Sequence, residues 1–259
     1  MRQQIYALFR SLFKLLPYSP ATKQKIRTLI NRIQGKQYVH ILHIGKTGGS
    51  AVKYALQPLS INNRLVIYFH PHIVTLRDIP RGDKVVFFLR EPITRFVSGF
   101  YSRQRQGKPK YFVPWSTEER IAFENFHTPN NLAADLSSND ASMALKAMEN
   151  IVHVNTHYWD WFESEQYLLS RRHDILFIGF QENLEEDFEC LKSILELPHN
   201  CVLPSCEIKA HRNPSNLDKS LDPCAIENLL KWYKVDYDFI DFCKREIIPK
   251  LAYRNIHLP

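Results

Sequence analysis

The chain has 259 residues, 44% of them hydrophobic and 24% charged, with a formal net charge of +7. That is enough chain for one substantial buried core, and too apolar a composition for a disordered protein. Eight of the 34 basic residues and none of the 27 acidic ones lie in residues 1–37, which leaves 26 basic against 27 acidic from Tyr38 onward. A nearly neutral body with its excess charge confined to one end argues against a nucleic-acid partner.

The five cysteines, Cys190, Cys201, Cys206, Cys224 and Cys243, are odd in number and contain no C-x-x-C pair. Neither a disulfide framework nor a zinc site is expected, and a reducing, cytoplasmic setting fits them. No apolar run reaches the roughly 18 residues that span a bilayer.

Residues 1–37 read as a basic amphipathic helical segment. Ile5, Leu8, Phe9, Leu12, Leu15 and Leu16 share one helical face, with Arg10 and Lys14 on the other. Such a segment suits peripheral contact with an anionic membrane surface, or packing against the domain that follows. From Tyr38 to Pro259 a single domain is expected. Short β-type runs at residues 39–44, 65–69, 84–89 and 174–180 alternate with helical stretches. Runs of this apolar kind predict an α/β fold of three layers, P-loop-like, with a central parallel sheet flanked by helices.

After the first run comes Gly45-Lys46-Thr47-Gly48-Gly49-Ser50, a glycine-rich turn between a strand and a helix. Glycines let main-chain N–H groups approach an anion, and the helix N-terminus favours negative charge. Lys46 adds a point charge, and Thr47 and Ser50 add hydroxyls. Gly45-Lys46-Thr47 spells the end of a Walker A loop, but that motif requires a glycine at the position occupied by His40. The third run also ends in Arg90 and not in a metal-binding aspartate. A nucleotide kinase or NTPase is therefore the second reading, and a non-catalytic nucleotide-binding protein at a membrane surface the third.

The order Lys-Thr-Gly-Gly-Ser after a strand resembles the 5′-phosphosulfate loop of sulfotransferases that use 3′-phosphoadenosine 5′-phosphosulfate (PAPS). The segment Arg90-Glu91-Pro92-Ile93-Thr94-Arg95-Phe96-Val97-Ser98-Gly99-Phe100-Tyr101 is similar to that family's 3′-phosphate motif. The resemblance implies that Lys46, Thr47, Gly48, Gly49 and Ser50 hold the 5′ end of PAPS, that Arg90 and Ser98 hold its 3′-phosphate, and that no metal is required. Arg95 is four residues from Glu91, the spacing of a helical ion pair. His211-Arg212-Asn213 sits where the family places a loop over the nucleotide, which would add Arg212 and Asn213 to the cofactor-binding set; a solvated loop is the alternative.

Transfer to a hydroxyl needs a base, and histidine suits one near neutral pH. His70-Pro71-His72 follows the second run and resembles the His-x-His segment of uronyl 2-O-sulfotransferases of heparan type. That implies His72 as base, His70 as its assistant, Lys46 on the leaving group, and a carbohydrate or glycolipid-like acceptor. Arg103, Arg105, Lys108 and Lys110 follow as a basic stretch, either a solvated loop or an attractor of acidic acceptors.

Overall fold

The structure, a computed structural model, describes residues 35–61, 64–210, 213–214 and 216–251. The amphipathic segment expected over residues 1–37 and the proposed ligand Arg212 therefore fall outside the described residues, apart from residues 35–37. Four strands, β1 (Gln37–Ile41), β2 (Leu65–Phe69), β3 (Lys84–Leu89) and β4 (Ile175–Phe180), pair in parallel in the order β2-β1-β3-β4. β3 lies between β1 and β4, and its run Val85–Leu89 is buried throughout, which is why it reads as unbroken apolar sequence and not as an alternation. The strand expected over 39–44 ends at Ile41, because Leu42 makes a last main-chain bond to Val86 and the chain then leaves the sheet.

One sheet face is covered by α1 (Gly49–Leu56) and, later in the chain, by the helix at Leu184–Ile194. Val52 and Leu56 meet Val39, Ile41, Val86, Phe88 and Phe188 there. β3 leads into α2 (Pro92–Gln104), and α2 into a helical layer of α3 (Thr117–Asn125), α4 (Pro129–Asp135) and α5 (Ser142–Asn150). The opposite sheet face receives α6 (Trp159–Phe162) and α7 (Glu165–Ser170), with Phe162 against Phe87. After β4 come α8 (Leu184–Ile194), α9 (Glu207–Ala210), α10 (Pro223–Trp232) and α11 (Lys234–Phe242). α10 packs on α4 and α2, and α11 brings Phe239 and Phe242 to the sheet. Tyr233, between the last two helices, is buried in the core. No helix among the described residues is long and apolar enough to cross a membrane.

Two buried ion pairs correct the sequence reading of the cations near α2. Arg95 does not pair with Glu91. Its side chain is enclosed, with Nε donating to the Gly45 carbonyl (3.1 Å), Nη1 to the Thr156 carbonyl (2.9 Å) and Nη2 to Thr156 Oγ1 (2.8 Å). Its carboxylate neighbour is Asp236 of α11, at 3.9 Å. Glu91 instead caps α2, accepting from the Ile93 and Thr94 amides at 3.0 and 2.7 Å. Arg103, read in the sequence as part of a solvated loop or an attractor of acidic acceptors, is buried on Glu119 through Nε and Nη2 of its guanidinium and also holds the carbonyls of Val113 and Pro114.

Asp236 accepts from the Tyr158 amide and His157 as well as facing Arg95, so its loss leaves buried donors without acceptors. Asp236→Ala should cost about 3–5 kcal/mol of unfolding free energy in urea. Lys231→Ala, which breaks a fully solvated pair with Glu227, should leave the unfolding midpoint where it is.

Candidate active site

In a parallel sheet of order β2-β1-β3-β4, the chain turns one way from β1 to β2 and the other way to β3. The gap between β1 and β3 at their C-terminal ends is thus the switch point where open α/β sheets bind ligands. A cavity of about 830 Å³ opens there, and segments that follow all four strands contribute to its wall. Lys46 and the Gly48–Ser50 turn come from the β1 end, His72 from β2, Arg90 and Ser98 from β3 and α2, and Gln181–Glu186 from β4 and α8. Asn213 and His153 close the sides.

The turn after β1 is bent by two left-handed residues, Lys46 (φ +68°) and Gly48 (φ +89°), and α1 begins directly after it. The first main-chain N–H groups of a helix have no intrahelical acceptor, so this end presents donors to the cavity. Thr47 behaves differently from expectation. It is buried, and its hydroxyl donates back to the Ile44 carbonyl at 3.0 Å, which shapes the turn and is not presented to the cavity. Ser50 and Ser98 line the cavity with hydroxyls that have no hydrogen-bond partner among the described residues.

The Lys46 ammonium has no carboxylate partner among the described residues. Burial, reinforced by the cations Arg105, Arg90 and Lys110, lowers its pKa to about 7. Burial likewise lowers the pKa of Arg90, Arg105 and Lys110. Arg90 is steadied by Thr94 Oγ1 (3.1 Å) and the Lys46 carbonyl (3.3 Å), while its own main chain is clasped by the Tyr158 hydroxyl, which accepts from the Arg90 amide and donates to its carbonyl. Asn213 donates to the Ser98 carbonyl at 3.3 Å and accepts from Arg105, so Arg105 braces the wall that carries Ser98. Desolvated positive charge of this density is stabilised by a polyanion.

The two histidines flanking Pro71 part company. His72 lines the cavity, and its Nδ1 lies 3.0 Å from the His43 carbonyl. A carbonyl only accepts, so Nδ1 carries the proton and Nε2 keeps its lone pair. Burial lowers the His72 pKa, which keeps that lone pair available at neutral pH. The Trp161 indole fixes the segment by donating to the His72 carbonyl at 2.9 Å. His70 is not brought to the cavity. It stacks on His40 and shares a 2.8 Å hydrogen bond with it, while His40 bonds Asp83 at 3.2 Å. The chain leaves the extended line of β2 at Pro71 and turns there, with the Val74 amide donating to the Pro71 carbonyl at 3.1 Å, so the two imidazoles do not share the common face that an extended i, i+2 pair would have.

Two further imidazoles belong to the site and carry no motif: His43, its ring 4.0 Å from that of His72, and His153, 5.1 Å from it. A Cβ on Gly45 would lie 2.6 Å from His153 Nδ1, and one on Gly49 would lie 2.7 Å from His43 Cδ2. These two glycines make room for histidine rings as well as for an anion. Among the described residues, no group of three or more His, Cys, Asp or Glu side chains is arranged to hold a metal ion.

A family model described as "Sulfotransferase family" matches residues 32–242. The chain belongs to the sulfotransferase family. No curated protein matches the chain in sequence. The match spans both anion-facing segments of this sulfotransferase, His72 and Asn213, and it reaches to the end of α11.

Because burial holds the Lys46 pKa at about 7, with no carboxylate beside it among the described residues, binding of a polyanion should draw a proton onto it. A raised pKa in the complex makes affinity flat below pH 7 and weaker above it, by up to about tenfold per pH unit. Calorimetry of adenosine 3′,5′-bisphosphate in buffers of differing ionisation enthalpy should show net proton uptake at pH 7.5. Lys46→Met should abolish that uptake.

Proposed function

We propose that this sulfotransferase moves a sulfuryl group from PAPS to an acceptor hydroxyl. The observation that carries the reading is the buried Lys46 ammonium, without a carboxylate partner among the described residues, in the same cavity as His72, whose Nε2 keeps its lone pair. Lys46, Gly48, Gly49 and Ser50 hold the phosphosulfate end; Arg90 and Ser98 hold the 3′-phosphate, with Asn213 bracing Ser98. Thr47 contributes through the turn it shapes.

In the transfer, His72 Nε2 takes the acceptor's proton, and Lys46 stabilises the charge that grows on the departing phosphate. The chain's resemblance to uronyl 2-O-sulfotransferases favours a carbohydrate acceptor. So do the exposed Tyr54 ring, with Lys209 over it at 5.0 Å, and Tyr111 at the cavity wall, an aromatic and cationic surface suited to hydroxyl-rich rings.

Adenosine 3′,5′-bisphosphate should stabilise the fold in thermal melts without Mg²⁺, by about 2.7 kcal/mol at 100 times its dissociation constant. Strictly Mg²⁺-dependent, tighter binding of ATP would sink the reading in favour of a nucleotide kinase. Arg90→Ala should weaken the bisphosphate by about 1.5–3 kcal/mol and adenosine 5′-phosphosulfate much less, since the latter has no 3′-phosphate.

For the chemistry, His72→Ala should lower turnover by roughly 10²–10⁴-fold with nucleotide affinity nearly unchanged. His70→Ala should have a smaller effect, felt through the backbone it anchors. An acceptor panel of sugar, phenolic and lipid hydroxyls gives the assay its substrate.

A further inference from the structure

His153 follows α5 and adopts φ +72°, a left-handed conformation that is uncommon for a residue bearing a side chain. The space for it is carved from two elements. Besides Gly45 against its Nδ1, a Cβ on Gly99 of α2 would lie 3.3 Å from the His153 Cβ and 3.4 Å from its carbonyl. The ring meets His72 edge-on, at 67° between planes.

Neither ring nitrogen of His153 has a hydrogen-bond partner among the described residues, although the residue lines the cavity. Burial, then Lys46 and His72, push its pKa well below the ordinary value, so the ring is neutral and always carries one N–H. Strain, carved space and a cavity-lining ring with no protein hydrogen-bond partner among the described residues together indicate a partner that arrives with the ligand.

The neighbours say which part of the ligand. His153 lies close to both Lys46 and His72, the groups assigned to the two ends of the transfer. We propose that His153 donates its ring N–H to an oxygen of the sulfuryl group as that group crosses from donor to acceptor. This rests on the PAPS reading above. In the step, the bond from sulfur to the 5′-phosphate oxygen breaks and leaves its electron pair on that oxygen. The bond from sulfur to the acceptor oxygen forms, and the acceptor's proton goes to His72. His153 neither gains nor loses a proton.

The test compares PAPS with adenosine 3′,5′-bisphosphate, which lacks the sulfuryl group, by calorimetry. His153→Gly keeps the left-handed backbone without strain and removes the ring; His153→Asn tolerates that backbone and restores an N–H donor. His153→Gly should weaken PAPS about tenfold and leave the bisphosphate within about twofold, with His153→Asn recovering most of the difference. His153→Ala, read the same way, stands in should the glycine variant not fold. Turnover in the glycine variant should fall roughly 10²-fold while the acidic limb of the pH–rate profile stays in place.

Equal losses for the two nucleotides would make His153 a packing residue, and disappearance of the acidic limb would make it the base; either overturns the proposal, as does unchanged PAPS affinity. Wild-type protein that binds neither nucleotide would overturn the parent reading first, before any variant is compared.

Discussion

The Arg95 guanidinium joins three parts of the chain that are distant in sequence: the Gly45 carbonyl of the anion turn, Thr156 after the helical layer, and Asp236 of the last long helix. It also lies over the rings of Tyr158 and Trp161, at 4.9 and 5.7 Å. Each of those partners is itself tied to the site. Tyr158 clasps the main chain of Arg90, and Trp161 holds the main chain of His72. One buried cation thus sets the relative positions of the turn, Arg90 and His72. Its charge is offset by Asp236, and its remaining donors are used on carbonyls and a hydroxyl, the condition under which a buried ion can be kept.

That frame matters because the cavity it supports is electrostatically unfavourable when unliganded. Lys46 and Arg90 sit desolvated near each other, with Arg105 and Lys110 close enough to depress Lys46 further. A surface that could relax would splay these groups into water. Here the carbonyls that Arg90, Arg95 and Arg103 hold fix the backbone around them, so the repulsion remains until an anion removes it. Preorganised charge of this kind favours developing negative charge without rearrangement at the moment of reaction.

The parallel sheet, its four runs and the strand-to-helix turn were legible in the sequence because continuous apolar runs and glycines carry local signals. The sulfotransferase family was legible for the same reason, in two short segments that follow strands. What local spacing could not carry was direction. Glu91 and Arg95 have ideal ion-pair spacing, yet the cap and the core claim them separately. His70 and His72 share a motif, yet the turn that begins at Pro71 sends only one to the cavity. His43 and His153 went unmarked because their meaning is tertiary. The one signal available was His43, a polar residue in an apolar run two positions before the first glycine; His153, in a turn of the helical layer, had none.

The fit of Gly45 against His153 and of Gly49 against His43 makes loop and imidazoles a single unit of inheritance. A phosphate-binding loop transplanted from another nucleotide-binding protein would bring side chains into spaces that two rings already fill. A histidine moved to another scaffold would leave its recess behind. Tyr111, elsewhere on the cavity wall, stands outside that fit of rings and glycines.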